Sequence, residues 1–192
     1  FLFKVKFDYN AYPTKGTATE LSAYHRFSGK HDLSSIQFRK VAAKPLSAQD
    51  FFILESNTTI KFLSNHNYID GKLMGYGNLQ LNGLEYYVID GNGASIFKAE
   101  WHHALGGFTL KRVLLKNTLP EIKYRFWLKA FTNLGYVYAE KPINNTKLSN
   151  TLLRTAGVGL DIISIYDFVL KIDYSLNQLG DKGLYLHAGL NF

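Results

Sequence analysis

Lys182-Gly183-Leu184-Tyr185-Leu186-His187-Ala188-Gly189-Leu190-Asn191-Phe192 is the stretch that decides the fold. One parity is apolar throughout: Leu184, Leu186, Ala188, Leu190 and Phe192. The other carries Tyr185, His187, Gly189 and Asn191. Successive side chains point to opposite sides of a strand, so this segment has one apolar face and one mixed polar face. An apolar face that finishes on an aromatic fits a membrane-spanning strand, whose lipid-facing band is bounded by aromatic residues.

The same period of two recurs along the whole chain. It predicts strands over residues 2–10, 17–27, 34–44, 51–63, 93–104, 122–138, 152–163, 167–177 and the terminal segment. Residues 2–10 set Phe3, Val5, Phe7 and Tyr9 against Lys4, Lys6, Asp8 and Asn10. Residues 122–138 set Tyr124, Phe126, Leu128, Ala130, Leu134, Tyr136 and Tyr138 against Lys123, Arg125, Lys129, Asn133 and Gly135. Residues 167–177 set Phe168, Leu170, Ile172 and Tyr174 against Asp167, Lys171, Asp173 and Ser175. Strands of globular proteins average about 5–6 residues, whereas a tilted strand crossing a bilayer needs about 9–11. Most of these segments reach the longer figure. Charges such as Lys129 and Asp173 on one parity are costly in a dry sandwich core and cheap in a wet lumen. The expectation is therefore an all-β chain, an antiparallel transmembrane β-barrel with the apolar parity outward. A large β-sandwich is the competing architecture.

Composition agrees without deciding. Of 192 residues, 46% are hydrophobic and 15% aromatic. Charged residues are 19%, below the average of about 25%. No run approaches the ~18 apolar residues of a spanning helix. With no cysteine, a disulfide, a thiolate metal site or a cysteine nucleophile is excluded. The net charge of +7 has no clustered basic run of the kind that binds nucleic acid. His102 and His103 are adjacent, so a strand sends them to opposite faces and they cannot share a metal. Ser22, Ser95 and Ser175 have no spacing to His187 that suggests a hydrolase. Phe1 already lies in an alternating segment, without initiator Met or leader. The chain is expected to be the C-terminal piece of something larger.

Two places carry a specific resemblance. Met74-Gly75-Tyr76-Gly77-Asn78-Leu79-Gln80-Leu81-Asn82-Gly83-Leu84-Glu85-Tyr86-Tyr87 sits in the long irregular segment 64–91, which holds five glycines at 71, 75, 77, 83 and 91. It resembles the in-folded loop of the BamA/TamA-like outer-membrane assembly and translocation proteins. Phe131-Thr132-Asn133-Leu134-Gly135 resembles that family's Phe-x-Asp-x-Gly. Residues 154–192 are similar to the family's closing strands, down to the final Phe192. The resemblance covers residues 74–192 and implies about nine strands from the second half of a barrel of roughly sixteen, with periplasmic POTRA domains ahead of it. It implies a loop motif at Gly75, Gly77, Asn82, Gly83 and Leu84, with lumen partners at Glu100, Phe131, Asn133 and Gly135. The family's loop-tip Arg falls at Asn82 and its Asp at Asn133, which leaves these two able to hydrogen-bond each other instead of forming an ion pair.

The resemblance also implies a function. A terminal strand around Leu184, Leu186, Gly189, Leu190 and Phe192 would serve as lateral gate and assembly signal, because an open strand edge templates another strand. The chain would reside in a bacterial outer membrane. Its expected partners are the lipid bilayer and lipopolysaccharide, client outer-membrane proteins and accessory envelope lipoproteins. No enzyme activity, cofactor, metal or nucleic acid is expected. Two alternatives are a barrel that anchors or exports a fused N-terminal domain, such as a patatin-like lipase or a phosphoesterase, and a simple porin.

Overall fold

The computed structural model describes residues 1–28, 32–63, 68–75, 79–110, 122–140, 148–164 and 168–190. In chain order these form β1 (Leu2–Phe7), β2 (Gly16–Arg26), β3 (Leu33–Pro45), β4 (Asp50–Leu63), a single helical turn α1 (Tyr68–Gly71), β5 (Lys72–Met74), β6 (Ile89–Asp90), β7 (Gly93–Leu110), β8 (Ile122–Tyr138), β9 (Leu152–Ile163), β10 (Phe168–Asn177) and β11 (Lys182–Leu190). Nine strands make one antiparallel sheet in the order β1-β2-β3-β4-β7-β8-β9-β10-β11, and β5 pairs with β6 in a separate small ribbon. The nine predicted strands are these nine. The sheet is open, with β1 and β11 as its edges. Among the described residues no helix is long and apolar enough to cross a membrane.

One strand is longer than its pattern. β7 runs on to Leu110, where the alternation predicts an end near residue 104, through a register shift between Ala104 and Gly106. Gly106 has φ +106° there, a conformation that costs glycine nothing. The bulge absorbs the extra residue and the ladder to β8 continues.

The two faces of the sheet differ in kind. One is open: Phe52, Leu54, Ile60, Phe62, Phe97, Leu128, Leu134, Tyr136, Tyr138, Val158, Tyr174, Leu176, Leu184 and Leu186 are all exposed on it. Leu184 and Leu186 keep 67% and 64% of their surface. The other face is covered, and its buried residues include Asn57, Thr59, His102, Lys129, Asn133, Thr155, Asp161, Asp173, Ser175 and Asn177. A sandwich in water hides the apolar parity and wets the polar one. This sheet does the reverse.

The first strand breaks the rule. Opposed residues of an antiparallel pair share a face. Lys4 opposes Thr19 and Lys6 opposes Thr17, while Leu21 of the same β2 face opposes Phe38. Lys4 and Lys6 therefore stand on the open face, and Phe3, Val5 and Phe7 turn to the covered one. The expectation that the apolar parity of every strand points outward fails at β1. The cause is the turn that follows. Asp8 accepts hydrogen bonds from the Tyr9, Thr14 and Lys15 amides and the Thr14 hydroxyl. Slight burial raises the Asp8 pKa, but these donors outweigh it and the carboxyl ends below its usual range. The turn so fixed drops Tyr9 and Tyr12 onto the covered face, and the apolar parity of β1 leads into them.

Two apolar clusters cover that face. Tyr12 joins Phe51, Ile163 and Val169, flanked by Tyr9, Ile53 and Trp127. At the opposite strand ends, Leu73, Met74, Leu79, Leu81, Leu84 and Ile89 from the β4–β7 connection pack on Ala94, Ile96, Val137, Leu148 and Leu153. Gly135 makes the seat: a Cβ there would lie 2.6 Å from Leu81 Cδ1 and 3.3 Å from Met74 Cε. Gly135→Val is expected to lift residues 79–90 off the sheet. Limited proteolysis should then cut between 72 and 90 faster while circular dichroism keeps its strand signal. An unchanged cleavage rate would show that the seat is not needed.

Candidate functional site

Cross-strand register assembles the site. Phe51, His102, Lys129, Gly159, Asp173 and Tyr185 oppose one another in turn across β4, β7, β8, β9, β10 and β11. They therefore share the covered face as one row. Gly159 leaves a gap in it, since a Cβ there would lie 2.2 Å from Asp173 Oδ1 and 3.0 Å from Lys129 Cε. Through the gap Lys129 reaches past β9. Its Nζ stands 2.7 Å from Asp173 Oδ1 and 3.4 Å from Asp161 Oδ1. All three side chains are 1% exposed or less.

The chain of polar contacts extends both ways. The Tyr12 hydroxyl donates to Asp161 Oδ2 at 2.9 Å and lies 2.8 Å from His102 Nδ1. His102 Nε2 is 3.1 Å from Glu100 Oε2, and the Phe51 ring stacks on the imidazole at 4.6 Å. Burial, then the Asp161 charge, pushes the Tyr12 phenol far above its ordinary pKa, so it stays a donor. On the other side Asn82 Nδ2 donates to Asp173 Oδ2 at 3.0 Å. One network thus ties the β1–β2 turn to the β4–β7 loop.

The loop grips the last hairpin. Asn177 Nδ2 donates to the Gly83 carbonyl at 2.9 Å. Glu85 Oε2 meets His187 Nε2 at 3.0 Å, the Tyr86 ring lies 5.6 Å from Tyr185, and the Tyr87 hydroxyl donates to Asp181 Oδ2 at 2.7 Å. The hydrogen bond to Asp181 raises the Tyr87 pKa. Gly83 has φ +90°, and a Cβ there would lie 2.9 Å from Ser175 Oγ. Loop tip and β10 come together only because this residue is glycine. Between loop and sheet lies a cleft of about 460 Å³ that opens beside β11, with Lys98, Glu100, Lys171, Asp173, Glu85 and His187 among its walls.

The residues singled out in the sequence fall as follows. Asn82 and Asn133 do not bond each other. Asn82 goes to Asp173, and Asn133 Nδ2 donates to Thr155 Oγ1 at 3.0 Å. The reason is register: Asn133 stands opposite Thr155 on β9, while Asp173 lies two strands away from it on β10. Glu100 lines the cleft with Asn82 but bonds His102. Phe131 is buried over Gly157, where a Cβ would come 2.5 Å from its Cζ. Gly135 lies under Leu81, and Leu84 belongs to the loop cluster. Gly75 has φ +91° and its amide bonds the Leu79 carbonyl. Leu184 and Leu186 face outward on the edge strand, Gly189 borders the cleft, and Leu190 opposes Phe168. Gly77, Phe192 and the side chain of Leu190 lie outside the described residues. Tyr12, His102, Lys129, Asp161 and Asp173 are the residues that sequence reasoning missed as a site. Their shared polar parity was the signal, but parity does not say which strands neighbour one another.

No protein-family model, curated protein or solved structure matches this chain.

Removing one member of a buried ion pair leaves an uncompensated charge and costs about 3–5 kcal/mol. Lys129→Met is expected to lower stability by about that amount, read as a shift in the denaturant midpoint. The triple change Lys129→Met, Asp161→Asn, Asp173→Asn should recover most of it, because no charge is then left alone. A single variant as stable as the parent would remove the ion cluster from the account.

Proposed function

We propose that this chain is the closing part of an outer-membrane β-barrel of the BamA/TamA type, in which the edge of β11 receives strands of client proteins. The observation that carries this reading is the inverted sheet: long strands with an uncovered apolar face and a face of buried charge. Lipid on the open face removes the penalty of the exposed Leu, Phe and Ile side chains, and a closed barrel leaves no unpaired backbone in the bilayer. The in-folded loop supports the family comparison, because residues 79–87 lie on the inner side of β8–β11. The gate is placed at β11 because, among the described residues, it is an edge strand of the sheet, as β1 is, and an edge is where a ladder is extended. Binding of this kind needs no cofactor. A plain porin is not favoured, because the loop and the Tyr12 turn both fill the space a pore would occupy.

The two tryptophans test the membrane half of the proposal. Trp101 opposes the exposed Phe52, and Trp127 opposes the buried Asp161. In vesicles of bromine-labelled lipid, the single-tryptophan protein retaining Trp101 is expected to be strongly quenched, and the one retaining Trp127 hardly at all. Equal quenching of both would refute the assignment of faces. For the gate, paired cysteines in β11 and in the strand that closes the barrel against it should block client assembly when oxidised and restore it on reduction. Assembly that proceeds at full rate through the crosslink would refute the gate.

A further inference from the structure

The reversed parity of β1 places charge where the rest of the sheet is apolar. On the open face, Lys4 and Lys40 both oppose Thr19, one from each side of β2. Lys6 opposes Thr17, and Lys44 opposes Phe52. All four lysines are exposed. Among the described residues none of their ammonium groups meets a carboxylate. Two arginines of the covered face differ: Arg39 bonds Glu55 and Arg26 bonds Asp70, each at 2.7 Å. The open-face positions of β1, β2 and β3 contain no Asp or Glu at all.

The lysines are also graded along the strands. β1 and β3 are both antiparallel to β2 and so run in the same direction. On β1 the open face reads Leu2, Lys4, Lys6, and on β3 it reads Ser34, Ile36, Phe38, Lys40, Ala42, Lys44. In both an apolar stretch (Leu2; Ile36 and Phe38) precedes the lysines, which gather toward the end that holds the Asp8 turn and the turn at 46–49, while Ser34 meets His25 at the other end. An apolar zone giving way to unpaired ammonium groups on one surface matches the chemistry of an acyl chain giving way to a phosphodiester. Lysine suits this place because its stem lies along apolar surface while its charge reaches the headgroup layer.

We infer that Lys4, Lys6, Lys40 and Lys44 form a binding surface for anionic phospholipid headgroups, with the acyl chains running along Leu21, Ala23, Ile36 and Phe38. The inference rests on the membrane reading above and adds a lipid preference to it. Each ammonium near an anionic lipid surface is worth about a fivefold enrichment.

The test uses the full-length protein with Trp101 as its only tryptophan. Trp101 opposes Phe52, which opposes Lys44, so it reports from two strands away. The protein is placed in phosphatidylcholine vesicles containing a small, equal fraction of either brominated phosphatidylglycerol or brominated phosphatidylcholine. Quenching by the anionic lipid is expected to exceed that by the zwitterionic one, with an enrichment of at least about fivefold. The excess should vanish in the variant K4Q/K6Q/K40Q/K44Q and persist in K182Q. Retained quenching by brominated phosphatidylcholine shows that the quadruple variant is folded and inserted. If that variant does not insert, the single changes K4Q and K40Q are read the same way, each lowering the excess. Equal quenching by both lipids in the parent protein overturns the headgroup site while leaving the membrane reading intact. No quenching by either overturns both. An excess that survives the quadruple variant overturns the assignment to these lysines.

Discussion

The Lys129 ammonium between Asp161 and Asp173 is the constraint on which the covered face depends. A cation and two carboxylates that are almost wholly buried tolerate little imbalance, since each lost partner exposes the others to the full cost of burial without compensation. The neighbours are arranged accordingly. Gly159 opens the path for the lysine, Tyr12 serves Asp161, and Asn82 serves Asp173. Each belongs to a different part of the chain. The polar centre is therefore what binds the β1–β2 turn and the β4–β7 loop to the same sheet, and the two apolar clusters flank it.

The loop tip carries asparagine where the pattern it resembles has arginine, and the ion cluster gives a physical reason why an asparagine works there. Lys129 already supplies the cation that Asp173 needs. A guanidinium at position 82 would be a second cation competing with Lys129 for the same carboxylate. The neutral amide of Asn82 instead donates a hydrogen bond to the second oxygen of Asp173 and leaves the lysine its partner. The same logic covers Asn133: with no arginine to meet, a carboxylate there would stand unpaired, and the amide instead finds Thr155. In this chain the loop tip is held by a neutral amide and the sheet by a lysine-centred cluster.

Much of this was legible in the sequence because a period of two is a strong signal when it persists for ten residues or more. The nine strands of the large sheet and their division into an apolar and a polar parity followed from it, though β1 stops at Phe7 and β7 runs on to Leu110. What parity does not encode is which side of the sheet it faces, and β1 shows the consequence. Its alternation is as clean as that of β8, yet the turn at Asp8 and the pull of Tyr9 and Tyr12 set it the other way round. Nor does parity encode register. Lys129 with Asp173, and Glu85 with His187, are contacts between segments far apart in the chain, fixed only once every intervening strand is aligned. The loop residues Asn82, Gly83 and Leu84 stood out as a motif, but their partners on β10 and β11 had no local signature.

The grip of the loop on the last hairpin bears directly on how a gate at β11 would work. Contacts from Asn82, Gly83, Glu85 and Tyr86 reach β10 and β11 from the covered face, perpendicular to the plane of the sheet. Backbone pairing at the free edge of β11 lies within that plane. The two do not compete for the same groups. In the proposed gate, a strand arriving at the edge would meet a hairpin already held by side chains from above, so it would pay little of the ordering entropy that a loose edge would demand. Opening between β10 and β11 is a different matter. Asn82 holds Asp173 while Glu85 holds His187, and separating the two strands would force the loop to release one of them. In the proposed gate this arrangement would favour growth of the sheet at β11 over fraying behind it.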